Sequence, residues 1–140
     1  MRAGALSDGF VLDASVALSW VFEDEVSEVG ERALAMQGDG HSMVPSFWTA
    51  EMASGLAVGL RKQRVSDAKV TTFLAAIGEF DIRADGAVPS VSRLLEFSRA
   101  TMLSPYDAAY VVLAHEQQVP LASIDKRMRE VAQSFGVALI

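Results

Sequence analysis

The stretch Phe10-Val-Leu-Asp-Ala-Ser-Val-Ala-Leu-Ser-Trp20 decides how the rest of the chain is read. Phe10, Val11 and Leu12 form a short apolar run that stops at Asp13, and from Ala14 the apolar spacing turns helical, with Val16 and Trp20 on one side. The pattern is a buried strand turning directly into a helix, with one carboxylate at the turn. Asp13 is the only charged residue between Phe10 and Phe22. Burying a lone carboxylate is costly unless something compensates it. Ligands of open α/β sheets bind beyond the carboxyl ends of the strands, which makes Asp13 a candidate site residue. A plain helix N-cap, a role Asp fills well, is the alternative.

Strand and helix keep alternating from there. Helices are expected over 26–37, ended by Gly38-Asp-Gly40; from a Ser46 cap through Leu60; over 65–77, entered at Ser66-Asp67; and over 88–101, with Pro89 in the first turn. Two more are expected, from Ser104-Pro105 to about residue 117 and over 126–134. Strands are expected at 41–44, 80–83, 119–122 and 136–140. This order predicts an α/β fold, a three-layer α/β/α sandwich around a mostly parallel sheet of four or five strands. One domain spans residues 1–140, with 1–8 as a loose N-terminal tail.

Composition narrows the classes. At 140 residues and 51% hydrophobic content, the chain suits one domain with a real core and is not disordered. No run of uncharged apolar residues approaches the length of a membrane span. Met1 to Gly9 lacks the apolar core of a signal peptide. The absence of cysteine excludes disulfides and thiolate metal sites and fits a reducing cytoplasm. A net charge of −6 argues against a protein that coats nucleic acid. It leaves room for an enzyme that holds phosphate through cations, and it would suit a basic partner.

The isolated carboxylate recurs. Glu51 is the only charged residue between Val44 and Leu60, and Asp107 the only one between Met102 and Ala114. Asp125 directly follows the strand-like Leu121-Ala-Ser-Ile and precedes a helix. A doubly wound sheet can bring such element starts to one edge. Each acid has a plainer reading: Asp107 completes a Ser-x-x-Asp capping box, and Asp125 abuts Lys126 and Arg127 as a solvated charge. Glu51 is hardest to dismiss, because an apolar helix rarely carries a lone acid. Carboxylates forced together repel and raise one another's pKa. A divalent cation removes that penalty, and oxygen ligands favour Mg²⁺ or Mn²⁺.

The ordered segments Val11-Leu-Asp-Ala-Ser15, Pro45-Ser-Phe-Trp-Thr-Ala-Glu51, Ser104-Pro-Tyr-Asp-Ala-Ala109 and Leu121-Ala-Ser-Ile-Asp125 resemble PIN-domain ribonucleases of the VapC toxin type. The resemblance covers nearly the whole chain. It implies that Asp13, Glu51, Asp107 and Asp125 are the four acidic positions of a Mg²⁺- or Mn²⁺-dependent site. Ser15 and Ser123 are implied as hydroxyls that steady carboxylates or waters, Ser123 standing where the family more often has Thr. It further implies hydrolysis of RNA to 5′-phosphate ends, a small antitoxin protein as partner and a homodimer.

The remaining features carry less. His41 and His115 lie at no metal-binding spacing. Arg61-Lys-Gln-Arg64 reads as a solvated or ion-paired cluster, whereas Lys126 and Arg127 beside Asp125 are candidates for RNA backbone contact. Gly55-Leu-Ala-Val-Gly59 reads as close helix packing. Trp20, Phe47, Trp48 and Phe73 read as core, with some free to face a partner. A receiver domain would want a pair of acids after the first strand, a dehalogenase-type phosphatase Asp-x-Asp, and a dinucleotide-binding domain a glycine-rich turn; Asp13-Ala-Ser15 supplies none of these. A catalytically silent binding module that kept the fold is the other alternative.

Overall fold

The structure is a computed structural model that describes residues 9–86 and 88–140. The expected N-terminal tail, residues 1–8, lies outside the described residues. Among those described, strands β1 (Phe10–Leu12), β2 (His41–Pro45), β3 (Asp81–Gly86) and β4 (Leu121–Ala122) form one sheet. All pairings are parallel, in the order β3-β2-β1-β4. The helices are α1 (Ala14–Ser19), α2 (Glu28–Asp39), α3 (Trp48–Arg61), α4 (Asp67–Glu79), α5 (Val91–Thr101), α6 (Pro105–Gln117) and α7 (Lys126–Ser134); a 3-10 turn spans Glu23–Glu25.

The topology positions the site. The chain steps outward from β1 to β2 and β3, then returns to lay β4 on the other side of β1. Right-handed crossovers therefore place the connections before and after β3 on opposite faces of the sheet, which gives the α/β sandwich. The reversal falls between β1 and β4. At such a switch point a crevice opens beyond the carboxyl ends of the strands.

β1 is buried on both sides, at 0–1% exposure, as a central parallel strand must be. α6 packs on β1, β2 and β4 and is buried without a break from Ala108 to Ala114, which is why its apolar residues run all round the helix. α1 packs on α3 across the glycine spacing singled out above. A Cβ on Gly55 would lie 2.5 Å from Leu18 Cδ1, and one on Gly59 2.5 Å from Phe22 Cε1. Gly55 lets the two helices approach, and Gly59 makes room for the Phe22 ring just beyond the end of α1.

Several expectations change: the strand expected over 119–122 is only Leu121–Ala122, and the one expected over 80–83 runs from Asp81 to Gly86. β2 runs on through Pro45 to pair with Gly86, so Ser46 falls in a turn, and α3 starts at Trp48 with Phe47 as a cap that makes no side-chain bond. Ser90, not Pro89, opens α5: its hydroxyl accepts the Arg93 N–H at 3.3 Å, and the helix begins at Val91. The expected strand over 136–140 shrinks to a single parallel bridge between Leu121 and Leu139, with the Leu121 N–H donating to the Ala138 carbonyl at 2.9 Å and the Ile140 N–H to the Leu121 carbonyl at 3.1 Å. No helix among the described residues is long and apolar enough to cross a membrane.

Candidate active site

Asp13 leaves β1 in an extended conformation and caps α1. Its Oδ2 accepts from the Ser15 hydroxyl at 2.7 Å and the Ser123 hydroxyl at 3.0 Å, and its Oδ1 from the Ser15 N–H at 3.5 Å. Both readings of this residue thus hold at once: it is an N-cap, and it is a carboxylate buried to 6% exposure. Burial pushes its pKa up to about 6. The serine hydrogen bonds pull the other way and the charge of Asp107 adds to the rise. Ser123 comes off β4 fully buried, and its oxygen also accepts the Asp125 N–H at 3.1 Å. One hydroxyl thereby joins the ends of the two strands that flank the switch point.

Glu51 sits in the first turn of α3, half-buried. Its Oε1 accepts from the Tyr110 hydroxyl at 2.5 Å. Desolvation raises its pKa, with the charge of Asp107 acting in the same direction against the Tyr110 bond. Asp107 lies in the first turn of α6, where the Ser104 hydroxyl accepts its backbone N–H at 3.1 Å. This is the cap half of the capping box, and the Ser104 hydroxyl also acts on the carboxylate, holding its pKa down. Desolvation raises the Asp107 pKa, followed by the charge of Asp125. Asp125 is the outermost acid: it is exposed, caps α7, and spends Oδ1 on the Met128 N–H at 2.8 Å.

These couplings make Asp107 the hub, within electrostatic reach of Asp13, Glu51 and Asp125. None of the four forms an ion pair among the described residues. Nor do any three Asp, Glu or His side chains there stand close enough to hold an ion as they are. The donor set therefore fits a hard divalent cation by its chemistry: oxygen atoms only, mutually repelling, without a cationic partner. The side chains would have to draw in around the ion.

Tyr110 is the site residue that sequence reasoning missed. It is fully buried, and its hydroxyl accepts the Ala14 N–H at 3.4 Å while donating to Glu51. That oxygen ties α6, the start of α1 and α3 together. Two signals were available. Tyr110 follows Asp107 by three residues, which places both on one face of the helix, and a buried tyrosine hydroxyl needs a partner.

The basic residues divide by function. Arg127 donates to the Thr101 carbonyl at 2.6 Å, and Arg129 to the Ser123 and Ile140 carbonyls at 2.9 and 3.2 Å, so both brace the backbone around the site. Lys126 is exposed. Arg64 is ion-paired with Asp24 and Glu25. His41 and His115 make no part of the acidic centre.

Comparison with known proteins agrees with this architecture. The PIN domain family matches residues 10–134, and the chain belongs to that family. Among solved structures, PAE2754 from Pyrobaculum aerophilum is similar with a TM-score of 0.62 at 16% identity, over 91% of this chain and 96% of that one; at this identity the likeness speaks for the fold. No curated protein sequence gives a match.

Proposed function

We propose that the chain is a metal-dependent endoribonuclease that hydrolyses RNA phosphodiester bonds, with Asp13, Glu51, Asp107 and Asp125 as its catalytic acids. Membership of the PIN family points to nuclease activity in general. The observation that carries the finer reading is the set of acids without cations at the switch point, three of which have raised pKa values. Such an arrangement costs stability, and this supports a bound cation as the missing counter-charge.

Asp13 and Asp107 would hold Mg²⁺ or Mn²⁺ directly, and Glu51 and Asp125 through water. A bound ion would supply polarisation of the phosphate and a water of lowered pKa. The chain's own groups do the positioning. Ser15 and Ser123 fix the Asp13 carboxylate, leaving Oδ1 lightly engaged. Tyr110 fixes one oxygen of Glu51 and leaves the other to accept from a water that it would orient toward the phosphate. Lys126, exposed beside Asp125, would meet the RNA backbone, together with the guanidinium N–H groups that Arg127 does not spend on the Thr101 carbonyl.

We further propose that this activity is the toxin half of a toxin–antitoxin pair, in a homodimeric cytoplasmic protein. An apolar groove of about 610 Å³ between α1, the 3-10 turn and α4 supports a protein partner, and none of the four acids lines it. The test is cleavage of single-stranded RNA by the purified chain. Cleavage should require Mg²⁺ or Mn²⁺ and fall with Asp107→Asn by the several kcal/mol such an ion supplies, about 10²- to 10⁴-fold. Cleavage that persists in EDTA would overturn the proposal.

A further inference from the structure

Tyr106 is 59% exposed and immediately precedes Asp107 in the first turn of α6. A large ring left open at the rim of an acidic centre calls for a reason. It is not loose: Phe47 packs against it in an edge-to-face contact, ring centroids 5.2 Å apart and planes at 86°. Phe47 makes a second such contact with Tyr110, at 5.8 Å and 87°. Tyr110 in turn donates to Glu51. A ladder of three rings thus runs from solvent to a site carboxylate, with its outermost ring already held.

We propose that Tyr106, braced by Phe47, is a stacking platform for an unpaired base of single-stranded RNA, next to the phosphate at the acidic centre. The inference rests on the ribonuclease reading and names how that site holds its substrate. Single-stranded RNA alternates phosphate with a flat base, so a phosphate beside Asp107 brings a neighbouring base to the adjacent ring. With a net charge of −6, the chain gains little from long-range attraction to the RNA backbone. Stacking is indifferent to that charge and tolerant of base identity. A ring held before binding also has less freedom to lose when the base arrives.

The test is fluorescence anisotropy with the full chain, Ca²⁺ replacing Mg²⁺. The probes are a labelled single-stranded RNA and a ribose-phosphate strand of equal length without bases. Tyr106→Phe keeps the ring and should bind RNA like the wild type. Tyr106→Leu keeps apolar bulk but no aromatic face, and should weaken RNA binding about 5- to 100-fold while leaving the baseless strand unchanged. Equal losses on both strands, no loss on RNA, or no RNA binding by the wild type would each overturn the platform. So would a lower sedimentation mass for Tyr106→Leu, which would assign the ring to contact with a second copy of the chain. The ribonuclease reading fails separately. If the wild type never cuts RNA yet Tyr106→Leu loses binding, the platform stands and the catalysis does not; if the wild type cuts but the variant binds normally, the catalysis stands and the platform falls.

Discussion

Two groups of acids in this molecule meet opposite environments. Glu23, Asp24 and Glu25 lie on one exposed turn, where Lys69 pairs with Glu23 while Arg64 grips Asp24 at 3.0 Å and Glu25 at 2.6 Å. The Arg64 guanidinium also lies 4.5 Å over the Phe22 ring. Asp13, Glu51 and Asp107 lie half- to fully buried and pair with no cation among the described residues. The Lys69 contact lowers the pKa of Glu23, whereas burial raises those of Asp13, Glu51 and Asp107. Both groups look alike in a charge count. What separates them is whether the fold supplies the counter-charge, and where it does not, the missing charge has to come from outside.

The largest effect should come from loosening the unpaired group without touching an acid. Tyr110→Phe keeps the ring and its packing on Phe47 but frees Glu51. RNA cleavage and the metal concentration for half-saturation should each worsen by about 10- to 100-fold, as for other groups that orient ligands; the metal-free melting temperature should fall as well, because the buried Ala14 N–H loses its acceptor. Equal activity in Tyr110→Phe would mean that Glu51 needs no such anchor.

The next effect is the pH dependence of stability in EDTA. Asp13 keeps its proton to about pH 6 in the fold but to only about 3.8 in the unfolded chain. The native state therefore binds more protons across that window, and stability falls as pH rises through it. The full cost, about 3 kcal/mol, is present above pH 6. Asp13→Asn should make the fall in thermal melts shallower, leaving the part that Glu51 and Asp107, whose pKa values are also raised, contribute. Glu23 has the opposite sign, since its pKa is lowered, so Glu23→Gln should leave that fall in place. A flat wild-type profile would contradict the reading of Asp13 as an uncompensated charge.

The paired group can be tested through its packing. Gly59→Ala drives a Cβ toward the Phe22 ring beneath Arg64. It should cost about 1–3 kcal/mol by denaturant unfolding while leaving metal affinity intact, because the acidic centre lies at the far end of α1. Loss of metal affinity with this variant would show the two regions to be coupled.

Much of this was legible in the chain itself. Asp13, Glu51 and Asp107 stand out because each is the lone charge in an apolar segment, and β1 with the turn into α1 is read from Phe10-Val-Leu-Asp. Alternation predicts a parallel sheet between helices, but the order β3-β2-β1-β4 comes from the structure alone, because more than one order satisfies the same alternation and handedness. What could not be read was convergence in detail. Nothing local in Val44 to Leu60 says that Glu51 meets a hydroxyl 59 residues away. Ser46 resembles a cap better than Phe47 does, and only the pairing of Pro45 with Gly86 decides against it. Ser15 and Ser123 stood out by resemblance, but that both donate to a single oxygen of Asp13 is a fact of three dimensions.

The most direct measurement is the melting temperature of the wild type and Asp13→Asn at pH 7.5, first in EDTA and then with rising Mn²⁺ or Mg²⁺. The wild type should begin below the variant and climb with metal concentration as a ligand that binds only the folded state requires, while Asp13→Asn should start higher and stay level. A wild type indifferent to millimolar metal, or a variant that climbs in step with it, would contradict the claim that these carboxylates are held apart for a cation.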